Sequence, residues 1–291
     1  MIGHGGWATP LVALAALCCT GCGDSDSAAQ TTLDRLQADG IARVGYANEA
    51  PYAYRDTESG RLTGEAPEIA RIVLERMGIP TVEGVLTEFG SLIPGLQAGR
   101  YDFIAAGMYV RPERCAEVAF SNPTYSVGEA LVVQAGNPHG LHAYEDFREQ
   151  GTATIGVVSG TVERSYARAV GIPDERIMTF PDAASALAGV RAGRVSAYAG
   201  TELTVQDLLS KDSAGLEQAL PFRDLVIDGE SVRGYGAFAF RKDDGEFLAA
   251  FNDELRTLIG SDAHMSLIAR FGFTRSQLPE SMTADELCAL S

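Results

Sequence analysis

The sequence predicts an α/β protein built as two similar lobes, and three observations carry that prediction. First, a helix that stops at a glycine before a buried strand occurs twice. Gly95-Leu-Gln-Ala-Gly-Arg-Tyr-Asp-Phe-Ile-Ala105 matches Gly189-Val-Arg-Ala-Gly-Arg-Val-Ser-Ala-Tyr-Ala199 at a constant offset of 94 residues. Second, two extended apolar segments, Leu131-Val132-Val133-Gln134 and Gly236-Ala237-Phe238-Ala239-Phe240, bracket the second of these units. Third, the chain has 291 residues, of which 46% are hydrophobic and 21% charged, enough for two ordinary domains with a sizeable core and unlike a disordered chain.

Taken in order, the chain opens on an address. Residues 1–21 contain no Lys, Arg, Asp or Glu, and Trp7 to Cys19 form an apolar run too short to span a bilayer, which reads as a secretory signal. The run ends in Cys19-Thr20-Gly21-Cys22 before the polar stretch Gly23 to Ser27, and this ending resembles a bacterial lipoprotein signal. Residues 1–21 are then the signal peptide, Cys22 the lipidated N-terminus and 22–33 a polar tether to the membrane. Two features depart from that pattern: Cys19 stands where Leu is usual, and His4 is the only basic-type residue ahead of the apolar run. An ordinary cleaved signal is the alternative, and either way the mature chain is extracytoplasmic.

Past the tether, Pro67 suits a first helical turn, and Ile69, Ile72, Val73 and Met77 recur at helical spacing. Ser91 to Ala98 reads as a helix, Gly99 as its left-handed stop, and Phe103 to Ala106 as a buried strand. Ile155 to Thr161 reads as a strand and turn entering a helix from Val162 to Val170, with Thr161 as N-cap. Phe247 to Phe271 is helical by pattern. If that last stretch packs on the first unit, lobe 1 comprises 34–134 and 235–291 and lobe 2 comprises 135–234. Two extended connections then form a hinge, with a ligand between the lobes.

Composition excludes several functions. There are 23 Lys+Arg against 39 Asp+Glu, a formal charge of −16, which argues against a nucleic-acid partner. The only lysines, Lys211 and Lys242, are each followed by Asp, so no Walker-type loop exists. His139 and His142 lie three apart beside Pro138 in an expected loop, without Cys-x-x-Cys or His-Glu-x-x-His, so no metal or cofactor is expected, and His264 on an amphipathic helix suggests nothing catalytic.

The order of motifs is distinctive: Gly-Glu-x-x-Glu-Ile-Ala at 64–70, Leu-Ile-Pro-Gly-Leu-Gln-Ala-Gly-Arg-Tyr-Asp at 92–102, Pro-Glu-Arg at 112–114 and Phe-Ser-Asn-Pro at 120–123. It resembles the solute-binding proteins of polar-amino-acid-type ABC importers across residues 33–279. Gly45 to Tyr54, Leu86 to Leu92 and Gly107 to Cys115 are most similar to the ectoine/hydroxyectoine-binding branch. The resemblance implies a two-lobed periplasmic-binding-protein-like fold with hinge strands, a monomer that closes on a small zwitterion and delivers it to permease subunits, and no enzymatic activity.

Ectoine carries a delocalised amidinium and a carboxylate, so its site needs an acid, a base and apolar ring contacts. Arg114 closes the Pro-Glu-Arg motif, and the resemblance assigns it the ligand carboxylate, for which a guanidinium fork is suited. Arg111, where the family often has Thr, is expected to face solvent. Glu49 is the branch's acid for the amidinium, and Tyr52, Phe89 and Tyr109 its aromatic cage, each ring attracting a cation by about 0.5 to 2 kcal/mol when water is excluded. From lobe 2, Gly160 and Thr161 would meet the carboxylate on closure.

Amino-acid-binding relatives usually carry an Asp in lobe 2 for the α-ammonium; here Thr201 stands there, with Glu202 its replacement if the alignment shifts by one. This absence predicts a preference for ectoine over common α-amino acids. Removing the leader and acylating Cys22 leaves Cys115 and Cys288, an even count in an oxidising compartment that suggests one disulfide, with free buried thiols the alternative. The competing functions are a polar amino-acid-binding protein and, on the same fold, a periplasmic prephenate- or arogenate-type dehydratase with Glu49 as general acid.

Overall fold

The computed structural model describes residues 1–3, 30–227 and 230–290. Thr31–Ser291 form one compact unit distinct from Met1–Gln30. The signal-peptide and Cys22 expectations fall outside the described residues. Among those residues, no helix is long and apolar enough to cross a membrane.

Two sheets organise the unit. The first has the order Thr81–Leu86, Ile41–Tyr46, Phe103–Tyr109, Gly234–Phe240, Ala119–Phe120, with Tyr125–Val127 also pairing Gly234–Phe240. Its first three strands run parallel and Gly234–Phe240 runs antiparallel to Phe103–Tyr109. The second sheet has the order Ile177–Phe180, Ile155–Val158, Ala197–Thr201, Glu129–Gln134, Leu216–Gln218. Here too the three βα-type strands are parallel, while Glu129–Gln134 lies antiparallel to Ala197–Thr201.

The two copies of the glycine-terminated helix precede equivalent central strands, one in each sheet. Leu92–Gln97 leads through Gly99, at φ +68°, to Phe103–Tyr109, and Ala183–Arg191 leads through Gly193, at φ +66°, to Ala197–Thr201. A left-handed residue ends each helix without strain only where Cβ is absent.

The sheets correct the expected lobe boundary. Glu129–Gln134, assigned to the end of lobe 1, is hydrogen-bonded into the second sheet, so the chain first crosses between sheets at Gly128. The return crossing falls between Gln218 and Gly234. An apolar extended run pairs equally well on either side of a hinge, and only its partner strand decides which sheet owns it.

The C-terminal stretch is two helices, Gly245–Leu258 and Asp262–Ile268, rather than one. Gly260 at φ +79° breaks the run and Ser261 caps the second helix by accepting from the His264 N–H. Phe247 and Phe251 pack onto Phe103, Phe238 and Phe240 of the first sheet, with ring centroids 4.9 to 5.8 Å apart. This aromatic cluster is the reason the C-terminal helices belong with the first sheet. The last helix, Ala284–Cys288, is bonded to Pro112–Cys115 by a disulfide between Cys115 and Cys288.

Candidate functional site

The carboxyl ends of the parallel strands in the two sheets face one another, and the loops that leave them carry the site. Ile41–Tyr46 exits into Glu49 and Tyr52, Phe103–Tyr109 carries Gly107 and Tyr109, and the short helix Pro112–Cys115 carries Arg114. Opposite them, the turn after Ile155–Val158 carries Thr161, Val162 and Glu163, and Ala197–Thr201 ends at Thr201. Together with Phe89, these residues line a small cavity between the two sheets. Six of the seven expected ligand residues are thus brought together: Glu49, Tyr52, Phe89, Tyr109, Arg114 and Thr161.

Gly160 lies behind that wall rather than on it. Its φ is +80°, and a Cβ built there would stand 2.4 Å from the Cα of Gly90, so it marks where the lobes touch backbone to backbone. Its carbonyl accepts a hydrogen bond from Arg114 Nη2 at 2.9 Å, while Arg114 Nη1 donates to the Tyr109 carbonyl at 2.8 Å. The Arg114 guanidinium also lies 5.5 Å from the centre of the Phe89 ring. Arg114 therefore ties the lobes together while keeping a face toward the cavity.

A hydroxyl relay makes the second tie. The Tyr52 hydroxyl donates to Thr201 Oγ1 at 2.8 Å, Thr201 Oγ1 donates to Thr204 Oγ1 at 3.1 Å, and Thr204 Oγ1 donates to Glu49 Oε1 at 2.8 Å. The Tyr52 ring stacks on Tyr125 at 5.0 Å and meets Phe273 edge-on at 5.8 Å, which fixes the hydroxyl at the lobe boundary. Gly107, at φ +65°, makes room for this stack, since a Cβ there would approach the Tyr125 hydroxyl to 2.7 Å and Tyr52 Cβ to 2.8 Å.

The electrostatics are acidic. Burial pushes the Glu49 carboxyl up to about 7, against the Thr204 hydrogen bond, and Glu163 adds to the rise. Burial also lowers the Arg114 guanidinium from its ordinary value, while Glu163 opposes that. Two further acids sit in lobe 2, Glu163 on the cavity wall and Glu129 behind it, both almost wholly buried and both raised above the usual carboxylate range by desolvation. Neither was singled out from the sequence. Glu163 stands two residues beyond Thr161, and Glu129 follows the Gly128 crossing, so only a placed turn and hinge make them neighbours.

Three sequence expectations change at this point. The N-cap of the helix Glu163–Ala169 is Val162, and Thr161 instead donates its hydroxyl to the Val158 carbonyl at 2.9 Å. Arg111 does not simply face solvent: its guanidinium lies 5.6 Å from the Tyr166 ring centre, across the lobe boundary. Thr201 does line the cavity, while Glu202 accepts from Gln206 on the helix surface, but Glu163 gives lobe 2 an acid by another route. Among the described residues no cluster of His, Cys, Asp and Glu is arranged to hold a metal ion.

Two lobes that meet over a buried, charged cavity, with hydrogen bonds crossing the seam on either side of it, define a protein that encloses a small ligand. The chain belongs to the bacterial extracellular solute-binding proteins, family 3, whose sequence profile matches residues 42–273. It is 40% identical over 270 residues to a probable amino-acid ABC transporter periplasmic-binding protein of Sinorhizobium fredii, covering 90% of this chain and 87% of that one. It is 26% identical to the lysine/arginine/ornithine-binding periplasmic protein of Escherichia coli, covering 72% of this chain and 78% of that one. Among solved structures, EhuB in complex with hydroxyectoine is similar at 35% identity and a TM-score of 0.80, covering 89% of this chain and 98% of EhuB. An ancestral amino acid-binding protein, a precursor of cyclohexadienyl dehydratase, is similar at 26% identity and a TM-score of 0.71, covering 83% of this chain and 99% of that one. The protein is accordingly an extracytoplasmic solute-binding protein of an amino-acid-type ABC importer, a carrier of substrate and not an enzyme.

Proposed function

We propose that the solute is ectoine or hydroxyectoine. The observation that carries this reading is the composition of the cavity: one guanidinium at Arg114, one acid at Glu49 on lobe 1, and the three rings of Tyr52, Phe89 and Tyr109 around them. A half-saturated ring bearing an amidinium and a carboxylate matches that set. Its carboxylate takes the planar fork and Thr161, its N–H groups take Glu49, and its ring faces take the aromatics. The similarity to the hydroxyectoine complex of EhuB supports the same ligand class. Delivery is to the permease subunits of the importer, and we propose that acylation of Cys22 holds the protein at the membrane; a Cys22→Ser chain that still partitions into detergent would argue against the anchor.

A second reading is favoured by one specific feature. Glu163 gives lobe 2 a carboxyl on the cavity wall, where it would pair an α-ammonium, and the relatives include binders of basic amino acids. Calorimetric titration with ectoine, hydroxyectoine, glycine betaine, proline, glutamate and arginine separates the two. The ectoine reading expects the two ectoines to bind at least about tenfold more tightly than any α-amino acid, equivalent to about 1.4 kcal/mol. Tight binding of an α-amino acid that ectoine fails to displace would overturn it.

A further inference from the structure

The site holds more acid than a zwitterion needs. Arg114 matches a ligand carboxylate and Glu49 a ligand cation, which leaves Glu129 and Glu163 over. Both are buried, at 5% and 4% exposure, Glu163 stands on the cavity wall, and its charge adds to the rise of the Glu129 carboxyl. Glu129 Oε1 and Glu163 Oε2 have no hydrogen-bond partner among the described residues. The nearby Arg114 already donates to two carbonyls. The remaining groups around the pair bring no compensating cation in contact. Tyr144 donates to Glu129 Oε2 at 3.4 Å, Thr161 lies beside Glu163, the Tyr166 and Tyr109 hydroxyls are buried without partners, Glu49 faces the pair across the cavity, and Arg111 is held over the Tyr166 ring.

Two interacting carboxyls, each buried with an oxygen that has no partner among the described residues, resist ionising together, so the pair is expected to hold one proton before any ligand arrives. A ligand carboxylate beside Arg114 and Thr161 then adds a third acid to the same corner. We propose that Glu163 is a ligand-binding residue that meets the ligand's carboxylate as a protonated hydrogen-bond donor, so that capture is coupled to uptake of a proton by the Glu129–Glu163 pair. The balance is simple: the pair enters with one proton and net charge −1, takes a second from solvent, and becomes neutral, with Glu163 donating to the ligand and Glu129 no longer needing a counter-charge. The inference rests on the carboxylate placement of the proposed function. It also bears on the second reading, because a protonated Glu163 offers no charge to an ammonium.

Calorimetry with ectoine at about pH 8, in phosphate and in Tris, counts the protons through the difference in buffer ionisation heat. The expected result is uptake approaching about one proton per ligand, because Glu49 is by then mostly ionised and releases little. Affinity should fall toward about tenfold per pH unit on the alkaline side, and Glu163→Gln, whose amide donates at every pH, should flatten that limb. Zero uptake, proton release, or a Glu163→Gln slope equal to the parent's would overturn the proposal. A ligand-free measurement keeps the test independent of ectoine and of whether the variant folds. In the parent labelled with ¹³C at glutamate Cδ, two buried carboxyls should stay near their protonated shifts at about pH 7.5: Glu65, which burial pushes up to about 8, and one of the pair. Only one such signal would overturn the pair. If ectoine gives no heat while the pair holds its proton, the ectoine reading falls instead, and the same two-buffer titration with L-glutamate decides the coupling.

Discussion

Tyr52 and Arg114 each face the cavity and hold the lobes together, which makes them informative at the scale of single residues. Tyr52→Phe keeps the ring stack on Tyr125 and removes only the hydroxyl that donates to Thr201. A neutral hydrogen bond contributes about 0.5 to 1.5 kcal/mol, so ligand affinity should drop roughly two- to tenfold with the melting curve little changed. Arg114→Ala should be far worse, at least about a hundredfold, because it leaves the ligand carboxylate without its cation in a closed site and also frees the Gly160 carbonyl. Glu49→Gln removes the partner of the ligand cation. Since the parent's Glu49 sits near about 7, its binding should weaken as pH falls through that value, a dependence the Gln variant loses. Titrations of the three variants against the parent check the order, and equal affinity in all would place the ligand elsewhere.

Between elements, two contacts set how parts of the fold are joined. Gly160 and Gly90 meet at their backbones, with no room for a methyl group and a positive φ at Gly160. Gly160→Ala should leave each sheet folded yet hold the lobes apart, weakening ligand binding without a matching loss of secondary structure by circular dichroism. The disulfide from Cys115 to Cys288 ties the last helix to the element that carries Arg114. Closing so long a loop contributes about 2 to 4 kcal/mol in typical cases. Peptide mapping without reductant should find the two cysteines in one linked pair, and reduction should lower the melting temperature. Recovery of both as alkylated thiols would leave the tail held without a covalent tie, by packing of Ala284 and Leu287 and by the hydrogen bond from the Ala284 N–H to Asn122.

For the whole molecule, three hydrogen bonds that cross the seam involve groups that line or adjoin the cavity. Tyr52 to Thr201, Thr204 to Glu49 and Arg114 to Gly160 form only when the lobes are shut, and opening would break all three while leaving both sheets intact. A ligand that adds contacts to both lobes therefore biases the closed form by the difference in its affinity for the two states. Small-angle scattering should show a smaller radius of gyration on saturation with the ligand identified by titration. No change with a ligand that demonstrably binds would mean the lobes do not separate in solution.

How much of this was legible beforehand follows from where the information sits. The two α/β units and their glycine stops could be read from local signals, periodicity and a left-handed stop, while the six cavity residues were legible chiefly because their short motifs resemble those of a known family. The single-helix reading of the C-terminus failed at Gly260-Ser261, a stop and a cap that the apolar spacing running through them had masked. The lobe boundary failed at Glu129–Gln134, because a buried strand looks the same whichever sheet it joins. The acid pair was invisible for a related reason: Glu129 and Glu163 are 34 positions apart in the sequence and adjacent only through the packing of a strand end against a turn. Sequence by itself determined most of the elements and the cavity-lining motifs of lobe 1, since those depend on neighbours along the chain. The tertiary structure alone decided which sheet owns each hinge strand, where the lobes touch and which acids are buried beside the cavity, because those depend on pairings and burial between segments far apart in sequence.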